Sequence, residues 1–452
     1  MEQTTDGVVN VQEWIDSRRL GTMQLIVVSI CTGAVILEGF DAQVIGFVAP
    51  SIIKEWKIAP ASMGTVFSAA LFGIMIGTLF LAPTADRIGR RTAMLVGVSI
   101  FGAATLLTTW VQSLDMFAML RFLTGLGLGM CMPNAVALTA EYAPQRLRST
   151  LLSWNTGGFS LGAFVGGMLV AHFAPLYGWR VMFTIGGILP LLLVIALFAM
   201  MPESARFLTV RGAASARIAN LLRRFDPTAA FGPETRFVTT ETHSSGLPVK
   251  HLFSEGRGPG TIVLWVLFAV TLLNIYLLAS WTPTVLHAGG LTITAAVVAT
   301  ALQQAGSVTA SIVLGPLFDR FGFFRTLVPL FLITAVAVII MGNSGSNLLV
   351  IYIAAFIAGA GVMGGNSSIV VIAGVFYPTF IRATGVGWGL GLGRVGAILG
   401  PLLGGAMLAA HWSPGAIFLS AAVPPVITAG LLLMFRYVTG RRAAFQTATA
   451  RP

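Results

Sequence analysis

Long apolar stretches alternate with short polar stretches along the whole chain. Twelve of them approach or exceed the roughly 20 residues that a helix needs to cross a membrane. Six precede a polar segment at 202–258 and six follow it: 22–48, 61–82, 92–112, 116–140, 149–173, 179–201, 261–286, 291–316, 326–342, 347–376, 383–410 and 413–436. Membrane β-strands would be half as long and would alternate apolar with polar residues. The pattern therefore predicts an all-α membrane protein with twelve transmembrane helices.

The polar segments divide the chain into five parts. We expect an N-terminal segment at 1–21, a six-helix bundle at 22–201, a linker at 202–258, a second bundle at 259–436 and a tail at 437–452. The linker contains Pro, Gly, Ser and Thr with scattered charges, and one short amphipathic helix is predicted near 213–224. We expect the linker to connect the bundles rather than to form a domain.

The composition supports a membrane protein and excludes several other classes. Hydrophobic residues make up 56% of the chain and charged residues 10%, and the mean hydropathy is +0.87. Soluble domains contain roughly 25% charged residues, so a disordered chain, a nucleic-acid-binding module and a disulfide scaffold are excluded. Cys31 and Cys131 lie in apolar stretches and are expected to be small packing residues. The five His are scattered, and no phosphate-binding loop motif is present, so no metal, cofactor or enzymatic activity is expected.

The basic residues lie mostly on one side of the predicted spans. The chain carries 27 Lys and Arg against 16 acidic residues, a net charge of +11. If both ends of the chain lie on one side of the membrane, only three basic residues fall on the opposite side: Lys54, Lys57 and Arg180. Arg121 and Arg394 fall within spans, so the other 22 basic residues lie on the same side as the chain ends. Because basic loops stay in the cytoplasm, the termini are predicted to be cytoplasmic, in a bacterial inner membrane. The first apolar stretch is too long for a cleavable signal peptide.

Matching residues recur 233 or 234 positions apart. The first match, at an offset of 233, pairs Asp86-Arg87-Ile88-Gly89 with Asp319-Arg320-Phe321-Gly322. The second, at an offset of 234, pairs Pro144 and Arg148 with Pro378 and Arg382. The third, also at 234, pairs Trp154, Gly162 and Gly166 with Trp388, Gly396 and Gly400. This register predicts two pseudo-symmetric six-helix bundles, related by an axis along the membrane normal, with the substrate site near the midplane between them. The repeated glycines are expected to let helices approach closely.

The loop after the second predicted span resembles a signature of the major facilitator superfamily. That signature is a Gly, four residues, and then Asp-Arg-x-Gly-Arg-Arg/Lys. This chain has Asp86, Arg87, Gly89, Arg90 and Arg91, with Ala82 in place of the leading Gly, and the second copy keeps Gly315, Asp319, Arg320 and Gly322. The segment 202–208 resembles another signature of the superfamily. The resemblance covers essentially the whole chain and implies the major facilitator fold with alternating access.

Shorter motifs resemble the aromatic acid:proton symporter family, whose members transport acids of the 4-hydroxybenzoate and protocatechuate type. They are Glu38-Gly39-Phe40-Asp41 with 45–47, 121–129 with 132–135, 281–284, and 387–388 with 393–401. Family members usually have Asp where this chain has Glu38. Ala163 replaces the Pro of the superfamily's antiporter signature, which favours symport. The resemblance implies uptake of an aromatic carboxylate together with protons.

Four charged residues fall inside predicted spans, where each costs about 2.5–3.5 kcal/mol on insertion scales and is therefore a functional candidate. Glu38 and Asp41 are three residues apart on one helical face, and Arg121 lies at a similar depth. Because two nearby acids in a dry cavity do not both ionise cheaply, these three residues are predicted to form the proton site. Asp41 is the first candidate for proton coupling, since Glu38 departs from the family pattern. A permanent structural salt bridge is the alternative. Two acids at one depth predict a two-proton, electrogenic cycle, unless Arg121 holds one of them ionised.

Arg394 is the fourth of these residues and lies near the middle of the eleventh predicted span. Its half of the chain contains one acid, Asp319, in a loop. A guanidinium can hold a carboxylate through two hydrogen bonds, so Arg394 is predicted to bind the substrate carboxylate, with gating between the halves as the alternative. Aromatic and amide side chains are predicted to complete the pocket, with packing as the alternative for each: Phe40, Trp154, Asn155, Tyr276, Trp281, Gln303, Asn366 and Trp388.

Charged residues at the cytoplasmic span ends are predicted to form a gate: Asp86, Arg87, Arg90, Glu141, Asp319, Arg320 and Arg382. The expected partners are a small aromatic carboxylate, protons and the lipid bilayer, without nucleic acid, and a monomer is the expected state. The alternatives are transport of another organic anion, such as an aliphatic dicarboxylate or nicotinate, transport of a sugar, or a sensor that binds without translocating.

Overall fold

A computed structural model describes residues 7–18, 20–226, 228–232, 235–239, 248–378 and 381–449. Within these residues, twelve helices are long and apolar enough to cross a membrane, which confirms the predicted number. We number them spans 1 to 12: Thr22–Trp56, Pro60–Ile88, Arg90–Trp110, Leu114–Tyr142, Gln145–Tyr177, Arg180–Met200, Gly258–Ala288, Ile293–Phe321, Phe323–Asn343, Leu348–Phe376, Thr384–Ala409 and Pro414–Gly440.

Several helices continue beyond the apolar stretches that predicted them. Span 1 ends at Trp56 rather than near residue 48, and its last two turns include Pro50 and Lys54. A helix satisfies its own backbone hydrogen bonds in lipid and in water alike, so the apolar stretch marks the lipid-embedded part and not the helix end. Spans 2 and 10 each contain a π-helical turn, at Gly77–Leu81 and Ala360–Gly364.

Equivalent glycines make equivalent contacts in the two halves. In spans 1 and 5, a Cβ atom at Gly162 would collide with the carbonyl oxygen of Ile36. In spans 7 and 11, a Cβ atom at Gly396 would collide with the carbonyl oxygen of Ala269. These pairs are related by the offsets 233 and 234 of the sequence repeat. Spans 1–6 and 7–12 therefore form two pseudo-symmetric six-helix bundles, the first and second halves.

The two halves are held together at the middle and at one end of the spans. We call the face that carries the linker the terminal face and the opposite face the distal face. At mid-span, the hydroxyls of Ser160 and Ser307 lie 3.1 Å apart. Nearer the distal face, the Ser68 hydroxyl donates to the Ile398 carbonyl at 3.1 Å. The halves are therefore sealed on the distal side.

The terminal parts of spans 8 and 11 are loosely surrounded by comparison. Cβ atoms built at Gly315, Gly387 and Gly391 would meet no other atom within 4 Å. The side chains of Asp319 and Arg320, at the terminal end of span 8, are exposed. The hydrogen-bonded contacts between the halves described above thus lie at mid-span and toward the distal face rather than at the terminal face.

A small lobe, which we call the terminal lobe, covers the first half at the terminal face. Strand β1 (Val8–Asn10) pairs in parallel with strand β2 (Arg236–Val238), and helices Val11–Asp16, Ala205–Val210 and Ser215–Arg223 surround a small apolar core. The last of these helices confirms the amphipathic helix predicted near 213–224. The N-terminal segment and the linker, treated as separate parts of the sequence, thus pack together.

Ion pairs attach the N-terminal segment to its surroundings in and beside the terminal lobe. Asp16 accepts hydrogen bonds from the backbone of Gln145 at 2.8 Å and from the Arg148 side chain at 3.3 Å, which caps the start of span 5. Arg18 pairs with Asp226 at 2.8 Å. Hydrogen bonds from Thr228 to the Asp226 carboxylate, together with Arg18, lower the pKa of Asp226.

Candidate substrate and proton site

Asp41 and Arg121 form an ion pair inside the first half. The Arg121 Nη1 atom lies 3.3 and 3.2 Å from the two Asp41 oxygens, and both side chains are at least 98% buried. The Thr105 hydroxyl donates to Asp41 at 2.6 Å, and Arg121 Nη2 donates to the Thr108 hydroxyl at 2.9 Å. The guanidinium also lies over the Phe183 ring, 5.0 Å from its centroid. Spans 1, 3, 4 and 6 therefore all converge on this pair.

The surroundings of the pair stabilise both of its charges. The carboxylate receives hydrogen bonds from the guanidinium and from a hydroxyl, which is what a buried ion pair needs to offset desolvation. Thr105 and Thr108 were not singled out by the sequence, although their spacing of three places them on one face of span 3. Their role depends on helix packing, which the sequence of span 3 alone does not reveal.

Glu38 lies one turn from Asp41 in a very different environment. Its side chain is 4% exposed, and its Oε2 atom has no hydrogen-bond partner among the described residues. The charged groups close enough to act on it are Arg394 of the second half and Asp41 of its own helix. A buried carboxylate oxygen without a donor is costly when ionised. Glu38 thus faces a cation across the two halves without a close ion pair.

Arg394 lies near the middle of span 11 and is half-buried. It makes no hydrogen bond or ion pair with any residue in the described parts of the chain. Its counterpart in the sequence repeat is Ser160, 234 positions earlier, whose hydroxyl contacts Ser307 of the other half. Because Ser160 faces the other half, its counterpart Arg394 is expected to lie on the side of span 11 that faces the first half. The proximity of Arg394 to Glu38 agrees with this placement.

Three residues predicted to line the pocket are packed elsewhere. The Phe40 ring lies against Gly166 and Gly186, between spans 1, 5 and 6. Asn155 is fully buried and uses both amide atoms, since Oδ1 accepts from Thr32 at 2.8 Å and Nδ2 donates to Thr139 at 2.9 Å. In this conformation, these two side chains join helices of the first half and are not placed to contact a ligand between the halves.

Trp281, the third, belongs to the distal seal. Its Nε1 atom donates to the Pro401 carbonyl at 2.9 Å, and its ring meets Phe67 edge to face with centroids 5.2 Å apart. Phe67 is in span 2 of the first half, whereas Trp281 and Pro401 are in spans 7 and 11. The indole thus closes the distal side of the space between the halves.

The amides and the tyrosine of the second half keep part of their hydrogen-bonding capacity. Asn366 is half-buried, and its Oδ1 atom accepts from the Thr271 hydroxyl at 3.2 Å. Gln303 is buried, and its nearest polar contact is the sulfur of Met341 at 3.9 Å. Tyr276 is half-buried in span 7. These residues leave donors and acceptors for a ligand.

The two repeat-related tryptophans lie in the terminal parts of spans 5 and 11. Trp154 and Trp388 are both exposed. Trp388 stacks on Trp265 with ring centroids 6.1 Å apart and an interplanar angle of 24°. Both tryptophans therefore lie closer to the terminal face than Arg394 and Glu38 do.

The predicted gate is assembled only within the first half. Arg90 forms an ion pair with Glu141 and lies 3.6 Å from Asp86, and the Ser204 hydroxyl donates to Glu141 at 2.6 Å. Arg87, Asp319 and Arg320 are exposed, and within the described residues the structure brings no ion pair from Asp319 or Arg320 to the first half. Arg382 is also exposed, and its Nε atom donates to the Tyr377 carbonyl of its own half at 3.5 Å. A gate between the halves is therefore open in this conformation.

Comparison with known proteins agrees with this architecture. The family model described as Major Facilitator Superfamily matches residues 31–303 and 264–451. A gallate transporter of Pseudomonas putida is 39% identical over 90% of this chain and 91% of the relative. A 4-hydroxybenzoate transporter of Pseudomonas putida is 37% identical over 94% of this chain and 95% of the relative.

A solved structure shares the fold at much lower sequence identity. It is the inward open conformation of the xylose transporter from E. coli, with a TM-score of 0.72 and 18% identity over 91% of this chain and 96% of that one. The superfamily resemblance predicted from the loop motifs is thereby confirmed, as is the prediction of a transporter rather than an enzyme. The chain is a multi-pass membrane protein that belongs to the Major Facilitator Superfamily.

Proposed function

We propose that this chain imports an aromatic carboxylate, of the gallate or 4-hydroxybenzoate type, together with a proton. The names of its relatives give the substrate class. The observation that carries the proposal is Arg394, a mid-membrane guanidinium without a hydrogen-bonded acid in the described residues, set opposite Glu38. Such a cation is ready to accept a carboxylate from a ligand.

The substrate and Glu38 compete for the same cation. In the empty transporter, Glu38 lies opposite Arg394, which has no hydrogen-bonded acid among the described residues. A substrate carboxylate that pairs with Arg394 neutralises the cation that an ionised Glu38 would need, so Glu38, which also lacks a donor at Oε2, is protonated when substrate is bound. Substrate binding and proton binding are thereby linked, as symport requires.

Asp41 serves as the fixed partner of Arg121 in this scheme. Its two oxygens are held by the guanidinium and by Thr105, so it is already engaged and is not the acid that faces Arg394. One acid, Glu38, therefore titrates for each substrate carried. A monoanion entering with one proton moves no net charge, which replaces the two-proton, electrogenic cycle expected from the spacing of the acids.

The basic residues give the orientation. With the terminal face in the cytoplasm of a bacterium, the basic loops and the terminal lobe are cytoplasmic, as the distribution of Lys and Arg favours. The conformation described above then faces inward, with Trp281 closing the route to the outside. Each half supplies part of the site within one chain, so a monomer is sufficient for transport.

The experiment is uptake of labelled 4-hydroxybenzoate into cells or proteoliposomes in competition with unlabelled compounds. We expect gallate, 4-hydroxybenzoate and benzoate to inhibit uptake at lower concentrations than succinate, nicotinate or xylose do. Stronger inhibition by one of the latter three would overturn the proposed substrate class. Binding of the acids without any uptake would identify a sensor instead.

A further inference from the structure

A groove lies at the terminal face where span 3 begins and span 6 ends. The linker helix Ser215–Arg223 forms its outer wall, and its volume is about 650 Å³. Three arginines line it, Arg91 from span 3 and Arg217 and Arg224 from the linker helix and the residue after it, together with apolar side chains such as Met201 and Leu208. The groove thus combines an apolar floor with a basic rim.

The arginines of the groove retain unused donors. Arg91 Nη2 donates to the Phe198 carbonyl at 2.6 Å, while its Nε atom is buried without a partner in the described residues. Arg217 and Arg224 are exposed, and neither side chain forms an ion pair or hydrogen bond within the part of the chain that the structure describes.

The acid that lines the groove is already engaged. Glu203 Oε1 accepts from the backbone amides of Arg91 at 3.1 Å and Ser204 at 2.9 Å. Three cations against one occupied acid leave the groove with a net positive charge, which suits an anionic ligand.

An apolar strip on span 6 leads into the groove from the membrane. Leu192, Ile195 and Phe198 follow one another at three-residue intervals on one face, with exposed fractions of 54%, 64% and 71%. Span 6 ends at Met200 and span 3 begins at Arg90, so the groove lies at the edge of the membrane-spanning region. A ligand with a charged head and an apolar chain matches both parts.

We propose that this groove binds the head group of an anionic glycerophospholipid. Its phosphate lies among Arg91, Arg217 and Arg224, whose guanidinium groups are suited to phosphate oxygens. One acyl chain follows the exposed strip of span 6. Free phosphate offers the same anion, but it would leave the apolar strip without a role, so the lipid is the occupant that fits the whole surface.

The test is native mass spectrometry of the purified, full-length protein titrated with phosphatidylglycerol or phosphatidylcholine. The double variant Arg217→Gln/Arg224→Gln is compared with Arg236→Gln/Arg325→Gln, which removes the same charge from two exposed arginines outside the groove. We expect phosphatidylglycerol to bind the wild type more tightly than phosphatidylcholine. Removal of each groove arginine should weaken the binding of phosphatidylglycerol about fivefold, which corresponds to about 1 kcal/mol. The control substitutions should leave this affinity unchanged.

Four outcomes would overturn the proposal. The first is equal affinity for the two lipids, and the second is an equal loss of affinity in the groove variant and its control. The third is binding of glycerol phosphate at the same sites and with the same affinity as phosphatidylglycerol, which would identify a free-phosphate site. Because all four substituted arginines are exposed, unchanged melting temperatures are expected, and a folded groove variant with intact lipid binding would also overturn it.

Discussion

Replacing Arg394 by Ala removes the cation to which the substrate carboxylate is proposed to bind. A hydrogen bond to a charged group contributes about 1.5–3 kcal/mol. Because each 1.4 kcal/mol changes an equilibrium constant tenfold, the dissociation constant for an aromatic acid should rise about 12-fold to 150-fold. Among the residues that the structure describes, the other arginine within the spans, Arg121, is engaged with Asp41 and buried inside the first half, so it does not replace Arg394. Arg394→Lys should restore little of the lost affinity, because a lysine ammonium does not form a bidentate contact with a carboxylate.

The assay is isothermal titration of purified protein with 4-hydroxybenzoate and with its neutral analogue 4-hydroxybenzamide. Only the acid has a carboxylate, so Arg394→Ala should weaken the binding of 4-hydroxybenzoate and leave the affinity for 4-hydroxybenzamide nearly unchanged. Arg325→Ala, which removes an exposed arginine from the same half, is the matched control. Equal losses for acid and amide, or an acid affinity within twofold of the wild type, would refute the assignment of Arg394.

Two further predictions concern packing around the site. Asp41→Asn leaves the buried Arg121 guanidinium without its counter-ion, at a cost of about 3–5 kcal/mol in stability. The melting temperature of the Asp41→Asn variant should therefore fall well below that of Glu38→Gln. The reverse order would contradict a fixed ion pair. Trp281→Ala removes the edge-to-face contact with Phe67 across the halves, worth about 0.5–1.5 kcal/mol beyond the buried area, and should open the distal seal. Labelling of an Ala61→Cys variant by an impermeant maleimide from the distal side should then increase, and unchanged labelling would count against the seal.

The fold was largely predictable because two of its determinants are local or periodic. A lipid-embedded helix must be apolar over a fixed length, so hydropathy located the twelve spans. The repeat then indicated which glycines would make equivalent contacts, and Gly162 and Gly396 do so. The two three-residue strands of the terminal lobe were not predictable, because their pairing joins segments more than 200 residues apart and is too short to leave a pattern.

The directions of side chains within the site were less predictable. In an apolar span, residues that face lipid and residues that face other helices are alike in hydropathy, so the sequence does not indicate where Phe40 or Trp281 points. The different environments of Glu38 and Asp41 depend on Thr105, which lies in another helix and has an unremarkable sequence context. The sequence therefore identified the charged residues, whereas the structure was needed to distinguish a fixed pair from an acid that can exchange its partner.

Accumulation of labelled 4-hydroxybenzoate by Glu38→Gln proteoliposomes tests proton coupling most directly. The vesicles are given a pH gradient, acidic outside, and protein-free vesicles measure passive entry of the neutral acid. With one proton per substrate, the wild type should approach a tenfold accumulation for each pH unit, the same limit that passive entry sets, and should reach it faster than the protein-free vesicles do. Glu38→Gln should still exchange labelled for unlabelled substrate but should concentrate it no faster than the protein-free vesicles do. If Glu38→Gln concentrates the acid as the wild type does, Glu38 is not the coupling residue and the account is contradicted.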